Sequence, residues 1–425
     1  VGAGRANGNR YLRAGDSGTE GKENGMKVAF YNHTSVVSGA EISLLLTAKH
    51  LKQATPIVFA PAGELLERAA VLGIEVSPIA SYRAKLSSNP LRIAKDIIGM
   101  FGAGLRFALA IRNSGVDLVH ANSLRAGIIA ALFRWLHRRP VIWHVRDIPP
   151  AGVIGRGIQR LAARRVEAIL NISKAVMDKF DHRILGSKLH LVPNGVELPR
   201  DDEPAAESRS REHIRLQLDT PADAKAIAII GQIAPWKRQE DAIRAAGELV
   251  AQGHDVYLWV VGEAKFREEN VRYGHSLVRL AEELGLSGRV RFAGFRQDVS
   301  AICRAADALL LCSDNEPFGR VLIEAMSHSL PVAATNAGGV PEIVEDGISG
   351  LLYPVGDVKA LATCVTRLLT DKPLRERLVT TAKRRVGSQF TIQSTAERVE
   401  AVYGTIYRPD RLRNAELRER NSYES

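Results

Sequence analysis

Three cysteines in 425 residues, Cys303, Cys312 and Cys364, cannot lay out a disulfide framework, and their spacing is not that of metal ligands. The odd count suits a reducing cytoplasm. The 11 histidines form no His-x-x-x-His or Cys-rich cluster, so no metal site is expected. Long apolar runs are also missing; none approaches the roughly 18–20 residues that cross a bilayer. The apolar stretch Ala103–Ile111 is broken by Arg106 and followed by Arg112, which makes it an amphipathic helix. No strand opening either half of the chain is followed by Gly-x-Gly-x-x-Gly, the turn a dinucleotide-dependent dehydrogenase would need. No Asp-x-Asp ends a strand either, since Asp201-Asp202 falls in a charged connection.

What is present is a globular composition, 45% hydrophobic and 25% charged, with a formal net charge of +11. That charge favours anionic partners: nucleic acid, phosphorylated substrates or an acidic membrane surface. Residues 1–25 are Gly-rich and polar, lack an apolar core, and are expected to be a disordered extension ahead of a fold that begins at Met26.

From Met26 onward, short β-branched runs alternate with helical stretches. KVAFYN, PIVFA, IEVSPIA, VDLVHA, PVIWHV, EAILNIS and KLHLVPN follow one another to residue 194. A second series then runs AIAIIGQI, VYLWVVGE, RVRFAGF, ADALLLCSD, LPVAATN and GLLYPVGD. Continuous apolar strands separated by helices predict parallel sheets covered on both faces. The expected organisation is α/β: a domain over 26–198, a linker over 199–224, a second domain over 225–390, a C-terminal helix over 391–408 and a disordered tail over 409–425. Two such domains in tandem form a cleft, and ligands bind beyond the carboxyl ends of their strands.

The densest chemistry lies in SDNEPFGRVLIEAMSHSLPVAATNAGGVPE, Ser313–Glu342. An apolar strand runs into Glu316-Pro317-Phe318-Gly319 and then into a helix opening near Arg320, which puts Glu316 on a strand-end loop and Glu324 about two turns into the helix. Eight positions of helix span about 12 Å, near the reach of a sugar nucleotide from hexose to ribose. A carboxylate accepts from both hydroxyls of a diol, which suits either end. The backbone N–H groups near Phe318, Gly319 and Arg320 would face the pyrophosphate between. On this stretch alone, a solvent-exposed loop Glu and a water-facing helix Glu remain equally good readings.

The pattern Glu316-x7-Glu324, with the PVAATNAGGVPEIVEDGISGLLYPVGD that follows, closely resembles the signature of family 4 retaining glycosyltransferases of the GT-B fold. The likeness extends from Met26 to about Tyr407 and implies two doubly wound Rossmann-like domains facing each other across a cleft. It also implies that Glu316 contacts the donor sugar and Glu324 the ribose. SGAEISLLLTAKHL resembles the family's Gly-Gly-x-Glu loop with Ser38 for the first Gly, leaving Gly39 near the phosphates or the acceptor. GQIAPWKRQ resembles its Gly-Arg-x-x-x-x-Lys-Gly segment: Lys237 takes the phosphate-binding position, Gln232 stands where arginine is usual, and Arg238 is a candidate to compensate. LVPNGVEL, with Asn194, matches the segment that closes the first domain. In VIWHVRD the likeness places His144 beside the donor sugar and β-phosphate, and sets Arg146 where a second histidine is frequent.

The resemblance implies transfer of a sugar from a UDP- or GDP-linked donor to a glycan, lipid-linked or polysaccharide-precursor acceptor, with retention and with no metal or cofactor. His144, Lys237 and Glu316 are the expected catalytic residues. A sugar-nucleotide epimerase on the same architecture is the alternative. A nucleic-acid-binding protein would explain the charge but not the Glu-x7-Glu segment, so no nucleic acid is expected. The basic, partly apolar segments 89–115 and 132–140 read either as helices packed on the sheet or as an anionic-membrane surface. The expected location is the cytoplasm, including the cytoplasmic face of a membrane.

Overall fold

The computed structural model describes residues 25–80, 90–199, 211–265 and 267–407. The expected extension before Gly25, the tail after 408 and most of the charged connection, 200–210, lie outside the described residues.

Seven strands make the first sheet: β1 (Met26–Tyr31), β2 (Ala54–Ala60), β3 (Glu75–Pro78), β4 (Leu118–Ala121), β5 (Val141–Val145), β6 (Ala168–Asn171) and β7 (Leu189–Leu191). Their order is β3-β2-β1-β4-β5-β6-β7, and every pairing is parallel. The second sheet has β8 (Lys225–Ile230), β9 (Val256–Val261), β10 (Val290–Gly294), β11 (Ala308–Leu311), β12 (Val332–Thr335) and β13 (Leu351–Tyr353), ordered β10-β9-β8-β11-β12-β13, again all parallel. The α/β expectation holds in both halves. The inner strands form because their Val, Ile, Leu and Ala side chains are buried by helices on both faces, while the edge strands β3, β7 and β10 stay partly exposed.

In both sheets the strand order reverses beside the first strand, between β1 and β4 and between β8 and β11. Helices leave to opposite faces there, which opens a crevice at the strands' carboxyl ends. The residues of interest sit at the end of β5 and on the segments that follow β1, β4, β5, β7, β8 and β11.

Sequence pattern does not say which domain the last helix joins. Ile392–Ile406 returns to the first: Val399, Val402 and Tyr403 share a buried cluster with Val28, Phe30 and Leu44. Thr391 starts the helix, its Oγ1 accepting from Ser394 N–H at 3.2 Å. The outgoing and returning chains meet where Val196 N–H donates to Phe390 C=O and Ile392 N–H donates to Val196 C=O, both at 2.9 Å. Gly195 permits this contact. A Cβ there would stand 2.4 Å from Thr391 O and 2.6 Å from Ile392 N.

Gly195→Ala should therefore cost about 1–3 kcal/mol through overpacking and lower the thermal midpoint. Gly387→Ala, on a helix where a Cβ meets nothing within 4 Å, should leave the midpoint unchanged or raise it. Equal midpoints for both variants would show that the crossing tolerates a side chain.

Candidate active site

On the second domain, the chain leaves β11 through buried Cys312 and Ser313 and turns at Glu316, which is only 7% exposed. One Glu316 oxygen, Oε2, accepts from Ser313 Oγ at 2.8 Å and from Lys237 Nζ at 2.6 Å. Lys237 ends the short 3₁₀ turn Pro235–Lys237 after β8, and its ammonium lies 4.3 Å from the Trp236 ring centroid. Ser313 is itself tied back, its C=O accepting from Thr335 Oγ1 at 2.8 Å. The two residues that the sequence analysis assigns to sugar and phosphate are thus a direct ion pair, mostly withdrawn from water.

Gly338 and Gly339 hold this loop in shape. Gly339 N–H donates to Glu316 C=O at 2.8 Å. Gly338 has φ +59°, and a Cβ on it would fall 2.2 Å from Glu316 O; one on Gly339 would fall 2.6 Å from Pro317 O. The two glycines are the floor on which the carboxylate loop is pressed. Phe318 faces inward, edge-on to Phe390 at 6.0 Å.

The helix after the loop, Arg320–Ser327, begins beyond Gly319, whose φ of +95° suits the turn. Glu324 therefore sits one turn into the helix rather than two. Arg320 Nε donates to Glu324 Oε1 at 2.8 Å and its Nη2 bonds the same oxygen, while Nη1 is buried without a protein partner. Arg238, expected beside Lys237, is engaged elsewhere. Its guanidinium forks onto Asp241 at 2.7 and 3.1 Å and faces Asp314 at 3.4 Å. Those contacts raise its pKa and leave little charge for a ligand. Gln232 turns its side chain to Lys265 C=O at 3.2 Å.

On the first domain, His144 in β5 is fully buried and Arg146, just beyond it, is 5% exposed. Arg146 donates to Asn122 Oδ1 at 2.7 Å, to Asn194 Oδ1 at 2.6 Å and toward His144 Nδ1 at 3.3 Å. Asn122 continues to Asn32, and Asn32 to Glu41 Oε1 at 3.1 Å. Glu41 closes a capping box on Ser38, with Ser38 N–H at 3.0 Å and Ser38 Oγ at 2.6 Å. Gly39 opens the Gly39–Lys49 helix, and a Cβ there would meet nothing within 4 Å. Ser38, standing where the family's first Gly is expected, is thus the helix cap.

Burial lowers Arg146 to about 9, opposed by the Glu41 carboxylate and reinforced by Arg320 from the other domain. Withdrawal of solvent, then Glu41, raises Asp147, with Glu316 across the cleft adding to it. Burial and the Arg146 charge hold His144 neutral, well below the usual imidazole range. Arg146 thus feels the charge of Arg320, and Asp147 that of Glu316, across the two domains.

The domains also touch directly. Ser173 Oγ donates to Pro317 C=O at 2.6 Å. The Glu342 carboxylate accepts from Lys174 N–H at 2.7 Å and Ala175 N–H at 2.8 Å, capping a first-domain turn from the second domain. Sequence reasoning missed Glu41, His120, Ser173, Glu342 and Tyr403. His120 ends an apolar strand as His144 does, so the same criterion would have found it, and Glu41 is the acid of the Ser38-Gly39-Ala40-Glu41 loop already singled out; no local signal marks Ser173, Glu342 or Tyr403. Among the described residues, no cluster of His, Cys, Asp or Glu is arranged to hold a metal.

A cleft walled by an acid–lysine pair and a buried histidine–arginine network can hold a polyol at the acids and an anion at the bases. Two family matches divide the chain as the sheets do: Glycosyltransferase Family 4 over residues 37–200 and Glycosyl transferases group 1 over residues 210–385. The chain is 30% identical over 338 residues to the D-inositol 3-phosphate glycosyltransferase of Salinispora tropica, 74% of this chain and 69% of that protein. It is 32% identical over 183 residues to the lipopolysaccharide core biosynthesis glycosyltransferase LpsE of Rhizobium meliloti. That match takes in 43% of this chain and spans about half of the relative, 51%. Among solved structures, Anabaena HepE in complex with UDP and glucose matches with TM-score 0.76 and 25% identity, over 89% of this chain and 99% of that one.

Fold and site together define a two-domain, GT-B glycosyltransferase. The chain belongs to glycosyltransferase family 4, and its second half is a group 1 glycosyl transferase module.

Glu342→Ala should loosen the domain contact, since hydrogen bonds to a charged group contribute about 1.5–3 kcal/mol. Small-angle scattering should show a larger radius of gyration for this variant, with Glu342→Gln intermediate. Identical scattering from all three proteins would mean that other contacts set the domain arrangement.

Proposed function

We propose that the chain moves a hexose, with retention and without a metal, from a nucleoside-diphosphate donor to a glycan or lipid-linked acceptor. The observation that carries the reading is the buried Lys237–Glu316 pair, with Glu316 acting on Asp147 and Arg320 on Arg146 from the other domain. The neighbour with bound UDP and glucose supports a UDP-linked donor, with GDP as the second choice. The named relatives are glycosyltransferases, which favours transfer over epimerisation.

In this reading the donor's β-phosphate replaces Glu316 as the partner of the Lys237 ammonium. The carboxylate so released accepts the hydroxyls of the sugar, held in place by Ser313. Arg320 Nη1, buried and unspent, offers a further N–H to a phosphate oxygen, and the backbone amides of Phe318, Gly319 and Arg320 complete that wall. Glu324 holds the ribose with Arg320 steadying it. Gly39 leaves room for the phosphates or the acceptor. Arg238 serves by fixing the turn that carries Lys237. The acceptor oxygen attacks the anomeric carbon from the face the leaving group departs, the C–O bond to phosphate breaks, and the departing phosphate oxygen takes the acceptor's proton. Charge developing on that phosphate is met by Lys237 and the amides without metal.

For location, we propose the cytoplasm and the cytoplasmic face of an anionic membrane. Ile98 and Phe101 on the Pro90–Asn113 helix, with Leu132 and Trp135, are exposed, and Phe101 stands 5.2 Å from Phe133, which joins the two segments. Arg134, Arg138 and Arg139 lie beside them in sequence. Among the described residues no helix is long and apolar enough to cross a membrane.

Lys237→Ala should cut donor turnover by roughly 10²–10³, and EDTA should leave the parent enzyme unaffected. Full activity in the variant, or loss with EDTA, would remove the proposed phosphate site. Glu324→Ala should abolish thermal stabilisation by UDP; an undiminished shift would take Glu324 from the ribose. The protein should pellet with vesicles containing anionic lipid at low salt and be released at high salt; no pelleting at low salt would return the two segments to ordinary packing.

A further inference from the structure

Behind His144 three buried rings are strung together. Tyr403 Oη lies 2.6 Å from His120 Nδ1, and His120 Nε2 lies 3.1 Å from His144 Nδ1. Arg146 Nη2 approaches that same His144 nitrogen at 3.3 Å. His144 Nε2 is buried with no protein partner. The His120 ring plane is fixed by stacking on Phe30 at 4.5 Å.

The arginine gives the chain a direction. A guanidinium only donates, and a neutral imidazole has one N–H and one lone pair. His144 Nδ1 must then carry the lone pair, and its proton sits on Nε2. The same lone pair obliges His120 to present Nε2–H. His120 Nδ1 is left to accept, and the Tyr403 hydroxyl is left to donate. The opposite sense would set an N–H of His144 against an N–H of Arg146 inside a buried network, a repulsion with no water to relieve it. Both imidazoles are neutral: burial and the Arg146 charge lower His120 to about 3 and hold His144 down as well. Burial keeps the Tyr403 phenol protonated.

We propose that Tyr403 and His120 are positioning residues that lock His144 as its Nε2–H tautomer, so that the glycosyl phosphate meets a neutral, pre-set N–H donor. The inference rests on the reading of His144 given above and says what that side chain offers: a hydrogen bond to an oxygen of the sugar or its phosphate. Arg146 supplies the charge, and the histidine supplies direction. The unspent Nε2–H is costly to bury in the empty enzyme, and an oxygen acceptor on the ligand relieves it. Tyr403 stands on the helix that returns from the second domain, so this chain reaches the reacting end from an element that touches no substrate.

The test uses the full chain labelled with ¹⁵N-histidine. Long-range ¹⁵N–¹H correlations, with His144 assigned by the signal lost in His144→Gln, should show Nε2–H imidazoles for both His144 and His120. Tyr403→Phe removes one oxygen from a buried ring. It should give His120 a mixed tautomer and lower kcat for UDP release from UDP-glucose about fivefold, with KM for the donor unchanged. An Nδ1–H His144 in the parent protein would overturn the relay, whether or not the variant folds. So would Tyr403→Phe with parental kcat and parental histidine signals, or with a change in KM alone. Wild-type turnover in His144→Gln, with the tautomers as assigned, would instead defeat the role of His144 in transfer and leave the relay without a purpose.

Discussion

The active cleft depends on a constraint that contains no catalytic group, the backbone crossing at Gly195–Val196 and Thr391–Ile392. Two hydrogen bonds of 2.9 Å tie the outgoing and returning strands of chain together, and the absence of a Cβ at Gly195 lets them touch. This crossing makes two parallel sheets present their carboxyl ends to each other. A parallel sheet puts all its strand-end loops on one edge. Facing two such edges brings together side chains from six separated strand ends.

The two walls are built on opposite electrostatic logic. The second domain satisfies its charges in pairs: Lys237 with Glu316, Arg320 with Glu324, Arg238 with Asp241. Each pair is already largely withdrawn from water, so a ligand that replaces one partner meets charges whose desolvation the fold has met in advance. The first domain sets a buried cation, Arg146, among neutral hydrogen-bond partners, Asn122, Asn194 and His144. That arrangement holds geometry rather than balancing charge, and burial already pulls Arg146 down to about 9. One wall is built to trade partners, the other to stay fixed.

Much of this was legible in the sequence, for reasons that can be assigned. Strands buried on both faces are continuous apolar runs, so β1 and β8–β12 stand out within three residues of where they form. Glu316 and Lys237 were singled out by the resemblance to the family signature, since local chemistry alone left a solvent-exposed acid and a surface lysine as good readings; that the two pair at 2.6 Å is a fact of the fold. The helix start near Arg320 was read correctly, and Glu324, four residues on, is one turn in rather than two because a turn takes only 3.6 residues. The engagement of Arg238 with Asp241 was hidden because the left-handed conformation of Arg238 itself turns its side chain back. Glu342 and Tyr403 were out of reach, because each acts on a partner more than 160 residues away in the chain.

The return of the last helix bears on how the molecule is made. Val399, Val402 and Tyr403 fill the surface beside Val28 and Leu44, so of the two domains the one synthesised earlier is completed later. Until residues 392–406 arrive, the nascent chain carries an uncovered apolar face on a domain whose strands are otherwise all synthesised. The second domain, whose strands all precede that helix, can close its own sheet first. Order of synthesis and order of completion are therefore reversed.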